Sequence, residues 1–378
     1  MKEIINKLTI TPPEGIYDSS LDYDALQNEN VYFLYHKEEL VLEVLQGYIS
    51  VHVPEKLPFD LRHYSSITYE HWLSWLKRRI STISRSYLNQ LYKQRRLGRG
   101  HVEVINDSAA ISITDLFWVT RPHLSHTWSS LQVMRDNSLS TVKASLEGIL
   151  DEKEMNKIMA KGAEDHTSTL TVKGAFAKAV YLGHILKKRN NAEYEVSTYK
   201  FAYKIGFDVA KAETYEDGKV ACELFTSEQT SLTHALEFLY PFDPETTKDI
   251  YIKALNKFSD NSKIYKQLQR LFILNYLVAN FDFHGENFGF LYDTTTFEII
   301  SVAPGFDFNS AYDFQEDALA YDEDIFERLP EFVSCNTDLI SGLKKIREYL
   351  YNDPYLDQTK KDMIVKRADY LVSLSPDT

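Results

Sequence analysis

The periodicity of apolar residues changes once along the chain, and that change limits the fold more than any other feature. Between residues 170 and 225, apolar positions come in short runs broken by turn signals, at 170–172, 179–182, 184–187, 209–215 and 219–225. One helical stretch interrupts them. It opens near Glu193, carries Val196, Tyr199 and Tyr203 on one face, and has Gly206 as its stop. From residue 231 onward apolar residues recur every three or four positions, in windows 231–239, 246–258, 264–279, 337–351 and 359–374. Strands first and helices afterwards predict an α+β chain whose elements segregate into two lobes with a cleft between them.

Ahead of this lies a separate mixture. Residues 31–54 read as a strand pair, with a turn at 36–39 and alternating apolar residues from Leu40 to Val53. The spacing of Trp72, Trp75, Leu76, Ile80, Ile83, Tyr87 and Leu91 predicts a helix over 69–92, ended by Gly98 and Gly100. A strand follows over 111–119, and a polar helical stretch over 138–162 bridges into the second half. The expected division is an N-terminal α+β extension over 1–135, a strand-rich lobe over 136–228 and a helical lobe over 229–378.

A net charge of −13 argues against non-specific nucleic-acid binding as the main activity. One basic run goes the other way, with Lys77, Arg78, Arg79, Arg85, Lys93, Arg95, Arg96 and Arg99 and no acid between His71 and Val102. It reads either as a docking surface for an acidic partner or as a basic helical face that compensates an acidic neighbour. No run approaches the roughly 18 apolar residues that a membrane span needs. Residues 1–15 hold charges and two prolines rather than a signal peptide, so a cytoplasmic protein is expected. Cys222 and Cys335 are the only cysteines, form no metal-ligand pattern, and fit a reducing compartment.

The chemistry concentrates after the helical window 264–279. Asp282-Phe283-His284-Gly285-Glu286-Asn287 is followed by apolar strands at 288–292 and 297–302 and then by Asp307. A hairpin there would set Asp307 beside Asn287, close enough to share Mg²⁺. One carboxylate (Asp282) can orient an acceptor hydroxyl, while the amide and the second carboxylate hold metal on nucleotide phosphates. That is the layout of phosphoryl transfer. Lys187 and Lys188 alternate on a strand, so only one of them can face such a site. His284 reads as a loop-holding residue rather than a base.

These pieces resemble the HipA-type serine/threonine kinases, a branch of the protein-kinase-like superfamily, over residues 165–375. Gly174-Ala175-Phe176-Ala177-Lys178 is similar to the family's phosphate loop, and His184-Ile185-Leu186-Lys187 to the strand that carries the ATP lysine. Glu195 stands where a helix glutamate partners that lysine. The stretch 223–228, with Glu223 and Phe225, resembles the adenine-contacting hinge. Asp282–Asn287 matches D-x-H-x-x-N, and Asp307 the metal aspartate. The resemblance implies a two-lobed kinase fold, ATP and Mg²⁺ as cofactors, and transfer of the γ-phosphate to a protein hydroxyl. It also implies a candidate autophosphorylation site at Thr171 and an antitoxin-like regulator as a partner.

Two other readings share these residues: a phosphoinositide-like lipid or small-molecule kinase, and a nucleotide-binding pseudokinase that serves as an interaction module. An acidic stretch after Asp307 (Asp313, Glu316, Asp317, Asp322, Glu323, Asp324, Glu327) favours a protein acceptor with basic flanks over an anionic head group. The chain departs from many eukaryotic kinases in having His284 two residues after the catalytic aspartate, where they have lysine. Glu286 occupies a place where some relatives carry lysine. The small N-terminal subdomain of the HipA toxins is not recognisable in residues 1–165, whereas 111–136 resembles the leader of shorter HipA-like proteins.

Overall fold

The computed structural model describes residues 31–79, 108–122, 126–131, 178–188, 191–240, 249–312 and 323–376, together with Ile105, Leu124, Val142, Ser145 and Leu146. The chain divides into two compact units, Met1–Ile185 with Thr226–Ser231, and Leu186–Phe225 with Leu232–Thr378.

The first unit is built on an antiparallel sheet of β1 (Val31–His36), β2 (Glu39–Leu45), β3 (Tyr48–Val51) and β4 (Phe117–Thr120), in the order β3-β2-β1-β4. Alternation along β1 turns Tyr32, Leu34 and His36 inward. Helix α1 (Tyr69–Arg78) starts at Thr68, whose side chain accepts from the His71 amide while the His71 ring accepts from the Thr68 amide. The apolar face of α1 buries Trp72, Trp75 and Leu76, and Trp72 lies 6.0 Å from Tyr32 in the sheet.

The chain enters the second unit within the hairpin of β5 (Lys178–Tyr181) and β6 (His184–Lys187). There β6 continues into the sheet order β6-β8-β7, where β7 is Ala212–Tyr215 and β8 is Lys219–Glu223. Helix α2 (Glu193–Ile205) packs on these strands through Val196 against Ala212, Val220 and Cys222, and stops at Gly206 in the left-handed region. A second sheet runs β11-β10-β9, with β9 Thr230–His234, β10 Gly289–Asp293 and β11 Ile299–Val302. Helices α3 (Ala235–Leu239), α4 (Ile250–Lys257), α5 (Ser262–Val278), α6 (Leu329–Cys335) and α7 (Gln358–Ser373) complete the unit. Their core is aromatic: Tyr251, Phe272, Phe283 and Phe288 lie within 6.1 Å of one another. The fold is mixed α+β, with sheets toward the N-terminus and helices toward the C-terminus.

Several elements depart from the sequence reading. Residues 31–54 form three strands rather than two, because Gln46 and Gly47 both take positive φ and turn the chain. Of the strand expected over 111–119, only the end is a strand. Ser112 and Thr114 bond each other's hydroxyls, and Asp115 accepts from the Phe117 amide, so local side-chain bonds hold 112–116 as a turn. Residues 231–234 are strand rather than helix, since they pair in the β10 sheet. The window 337–351 is helical but broken into three short pieces, the 3-10 helix Thr337–Leu339 and the α-helical segments Ile340–Leu343 and Ile346–Leu350. The basic run also divides. Arg79 is buried, with Nη1 and Nη2 on the Asp115 carboxylate at 2.6 and 2.9 Å and further bonds to the Ala110 and Phe117 carbonyls. Arg78 pairs with Asp60. Both arginines are engaged within the unit, while the rest of the run beyond Arg79 lies outside the described residues.

Candidate active site

Lys187 is the centre of the site. It ends β6 with its side chain buried, while Lys188 is exposed. Its ammonium reaches Glu195 Oε1 at 2.5 Å and Asp307 Oδ1 at 3.1 Å. Glu195 belongs to the first turn of α2, where a carboxylate also suits the positive end of the helix dipole, and is only 4% exposed. Burial alone would pull the Lys187 ammonium down. The carboxylates of Asp307 and Glu195 prevail and hold it well above the ordinary lysine range. One ammonium therefore faces two carboxylates in a partly desolvated site.

The backbone around Asp307 explains how it arrives there. Gly305 forms a parallel bridge with Val209, its amide donating to the Asp208 carbonyl and its carbonyl accepting from the Ala210 amide, both at 2.9 Å. The next turn is sharp, and Asp307 sits in the left-handed region with φ 62°. Asn309, itself buried, donates from Nδ2 to the same Asp307 oxygen that Lys187 holds.

The loop 280–287 is fixed by α5 and by the aromatic core. Asn275, which interrupts the apolar run of that helix, donates to the Leu271 carbonyl and accepts at Oδ1 from Asn280 Nδ2, both at 2.9 Å. Ala279 leaves the helix in the left-handed region, so the chain turns at once. Phe283 stacks on Tyr251, and the Tyr251 hydroxyl donates to the Phe283 carbonyl. A Cβ at Gly285 would lie 2.3 Å from Ile250 Cδ1, and one at Gly289 would lie 2.2 Å from the Thr233 carbonyl oxygen. The second approach is to main chain that cannot yield, so only glycine lets β9 lie this close.

Between these anchors Asp282 stays half-exposed, while Asn287 is buried and donates from Nδ2 to the Asp282 carbonyl at 2.6 Å. His284 accepts at Nδ1 from the Glu286 amide and lies 3.7 Å from Asp282 Oδ1, a loop-holding geometry. The β10–β11 hairpin pairs Phe290 with Val302, and the Ala303 amide donates to the Gly289 carbonyl. The Asn287 and Asp307 loops thus leave the same end of one hairpin.

Of the other sequence candidates, Phe225 lies 5.6 Å from Phe306, the residue before Asp307. Glu223 ends β8 with an exposed side chain, and its amide donates to the Lys211 carbonyl. Lys178 is half-buried at the start of β5. Gly174 and Thr171 lie outside the described residues, as do residues 313–322 of the acidic stretch. The structure brings Lys187, Glu195 and Asp307 into direct contact and joins Asn287 to Asp282. The sequence reading missed Asn309 and the Asn275–Asn280 pair. The signal was present, an amide two residues after one acid and another two before the other, but amides in loops are too common to single out.

A divalent cation fits this chemistry. Among the described residues no group of three His, Cys, Asp or Glu could hold a metal unaided. One carboxylate and one amide match the Mg²⁺ sites that borrow their remaining ligands from phosphates and water.

The chain belongs to the HipA-like C-terminal domain family, which matches residues 144–348, more than half its length. Among solved structures it is similar to HipA of Shewanella oneidensis MR-1, determined as a toxin–antitoxin complex with HipB and operator DNA. The identity is 14% and the TM-score 0.50, over 91% of this chain and 96% of that one. The proinflammatory kinase CtkA of Helicobacter pylori matches at 20% identity with a TM-score of 0.35, over 52% of this chain and 89% of that one. No curated protein matches. The likeness to HipA extends well beyond residues 165–375, so it takes in N-terminal sequence in which no HipA subdomain had been recognised. Among the described residues no helix is long and apolar enough to cross a membrane.

Proposed function

We propose that this chain is an ATP- and Mg²⁺-dependent serine/threonine kinase that transfers the γ-phosphate to a protein hydroxyl. The observation that carries the reading is Lys187, a buried cation held between Glu195 and Asp307. Lys187 would meet the nucleotide phosphates, with Glu195 keeping it in place. Asp307 and Asn287 would hold Mg²⁺, which when bound neutralises charge on the transferring phosphoryl group. Asp282, half-exposed on a rigid loop, would orient the acceptor hydroxyl and take its proton. Gly174 and Lys178 are assigned to the phosphate loop, and Glu223 with Phe225 to the adenine edge.

The lobe boundaries at 135 and 228 and autophosphorylation at Thr171 belong to the same proposal. So do a basic-flanked protein acceptor and a HipB-like regulatory partner. The test is transfer from labelled ATP, with autophosphorylation and basic peptides as acceptors, for wild type, Asp282→Ala and Asp307→Ala. The reading requires transfer by wild type and loss in both variants. Nucleotide binding without transfer to any acceptor would contradict it and leave a binding module.

A further inference from the structure

Helix α2 is fastened to the segment after Asp307 at a second point that the chemistry above does not use. Thr198 Oγ1 and the Tyr312 hydroxyl lie 2.5 Å apart, with Thr198 fully buried and Tyr312 3% exposed. Thr198 is three residues beyond Glu195 and so shares its face of the helix. Tyr194, one residue before Glu195, sets its ring edge-on to Tyr312 at 5.0 Å and 86°. Tyr312 is anchored in turn by its main chain, whose amide donates to the Val278 carbonyl at 2.7 Å, at the end of α5 and four residues before Asp282. Its φ of 67° is left-handed, a conformation that a bulky aromatic residue keeps only where its surroundings dictate it. One side chain thus touches the helix of Glu195, belongs to the segment of Asp307, and is tied to the root of the Asp282 loop. Burial holds the phenol well above its ordinary range, so it stays uncharged, and either hydroxyl can donate to the other.

We propose that Tyr312 is a positioning residue: its hydroxyl, bonded to Thr198, latches α2 to the Asp307 segment and so keeps Glu195 on Lys187. Its consequence for rate rests on the phosphotransfer reading; the latch itself does not. Removing the hydroxyl leaves the ring packing intact but strands the Thr198 hydroxyl in the core, so α2 is free to draw Glu195 away from the lysine.

The test uses Tyr312→Phe, Thr198→Val, Thr198→Ser and the double variant Tyr312→Phe/Thr198→Val in the full chain, with two readouts. The first is kcat/KM for ATP. Tyr312→Phe and Thr198→Val should each lose about tenfold, the size expected when a buried hydrogen bond is broken. The double variant should lose no more than either single, and Thr198→Ser should keep the wild-type value. The second is amide hydrogen exchange over residues 193–205, which should accelerate in Tyr312→Phe and stay at the wild-type rate in Thr198→Ser. Unchanged exchange and rate in Tyr312→Phe would overturn the latch. So would an equal loss in Thr198→Ser, which would make the effect one of packing. If wild type transfers no phosphate, the kinase reading fails and the exchange comparison decides the latch by itself.

Discussion

Arg79 in the first unit and Lys187 in the second are both buried cations, 7% and 6% exposed, yet their surroundings are balanced differently. Arg79 spends its guanidinium on one carboxylate in a bidentate pair and on two main-chain carbonyls. The fork geometry is met from within the unit. Lys187 instead faces two carboxylates, Glu195 and Asp307. A bidentate pair completed by main-chain acceptors suits a structural role, whereas two carboxylates on one ammonium suit the proposed nucleotide and metal site.

The largest expected effect breaks the functional side. Asp282→Ala or Asp307→Ala should lower phosphate transfer by roughly three to four orders of magnitude, read as initial rates with labelled ATP. The structural side should respond in the opposite currency. Arg79→Ala leaves Asp115 poorly paired and should cost about 3–5 kcal/mol in a denaturant titration, with transfer per folded molecule unchanged.

A smaller effect separates the units by pH. Burial, with Lys37 adding to it, lowers the His36 imidazole from 6.5 to about 4. Because the folded value lies below the unfolded one, protonation favours the unfolded chain. Stability is level above pH 6.5 and falls as pH drops toward 4, by about 3 kcal/mol in all. The loss should appear in first-unit amide exchange and vanish in His36→Phe. The smallest effect is Glu223→Ala, an exposed side chain at a strand end, which should change stability by no more than about 0.5 kcal/mol.

How much of this could be read from the chain depended on what kind of order each part has. Asp282, Asn287 and Asp307 could be singled out because a fixed spacing of acid, amide and acid spans a mostly apolar hairpin. Alternation allowed only one of Lys187 and Lys188 to face inward, and the family resemblance, not the spacing, chose Lys187, which is the buried one. Residues 231–234 misled because Leu232 and Ala235 share a three-residue spacing with Leu236 and Leu239, and only pairing in the β10 sheet decides for a strand. The turn at 46–47 hid inside an alternating run, since Gln46 gives no turn signal of its own. Arg79 looked like one cation in a basic surface. Its partners, Ala110, Asp115 and Phe117, lie thirty or more residues away, and no local pattern encodes such a contact. The Thr198–Tyr312 bond is of the same kind, joining residues 114 apart.

The central claim is that Asp307, beside Lys187 and Glu195, receives a divalent cation that comes with the nucleotide phosphates. Thermal unfolding of wild type and Asp307→Asn, each apo, with ATP and with Mg²⁺ plus ATP, tests it most directly. The account predicts that wild type gains more from Mg²⁺ with ATP than from ATP alone. Asp307→Asn should melt at or above the wild-type apo temperature and lose the Mg²⁺ increment. An apo variant that melts well below wild type, or that keeps the full Mg²⁺ increment, would contradict it.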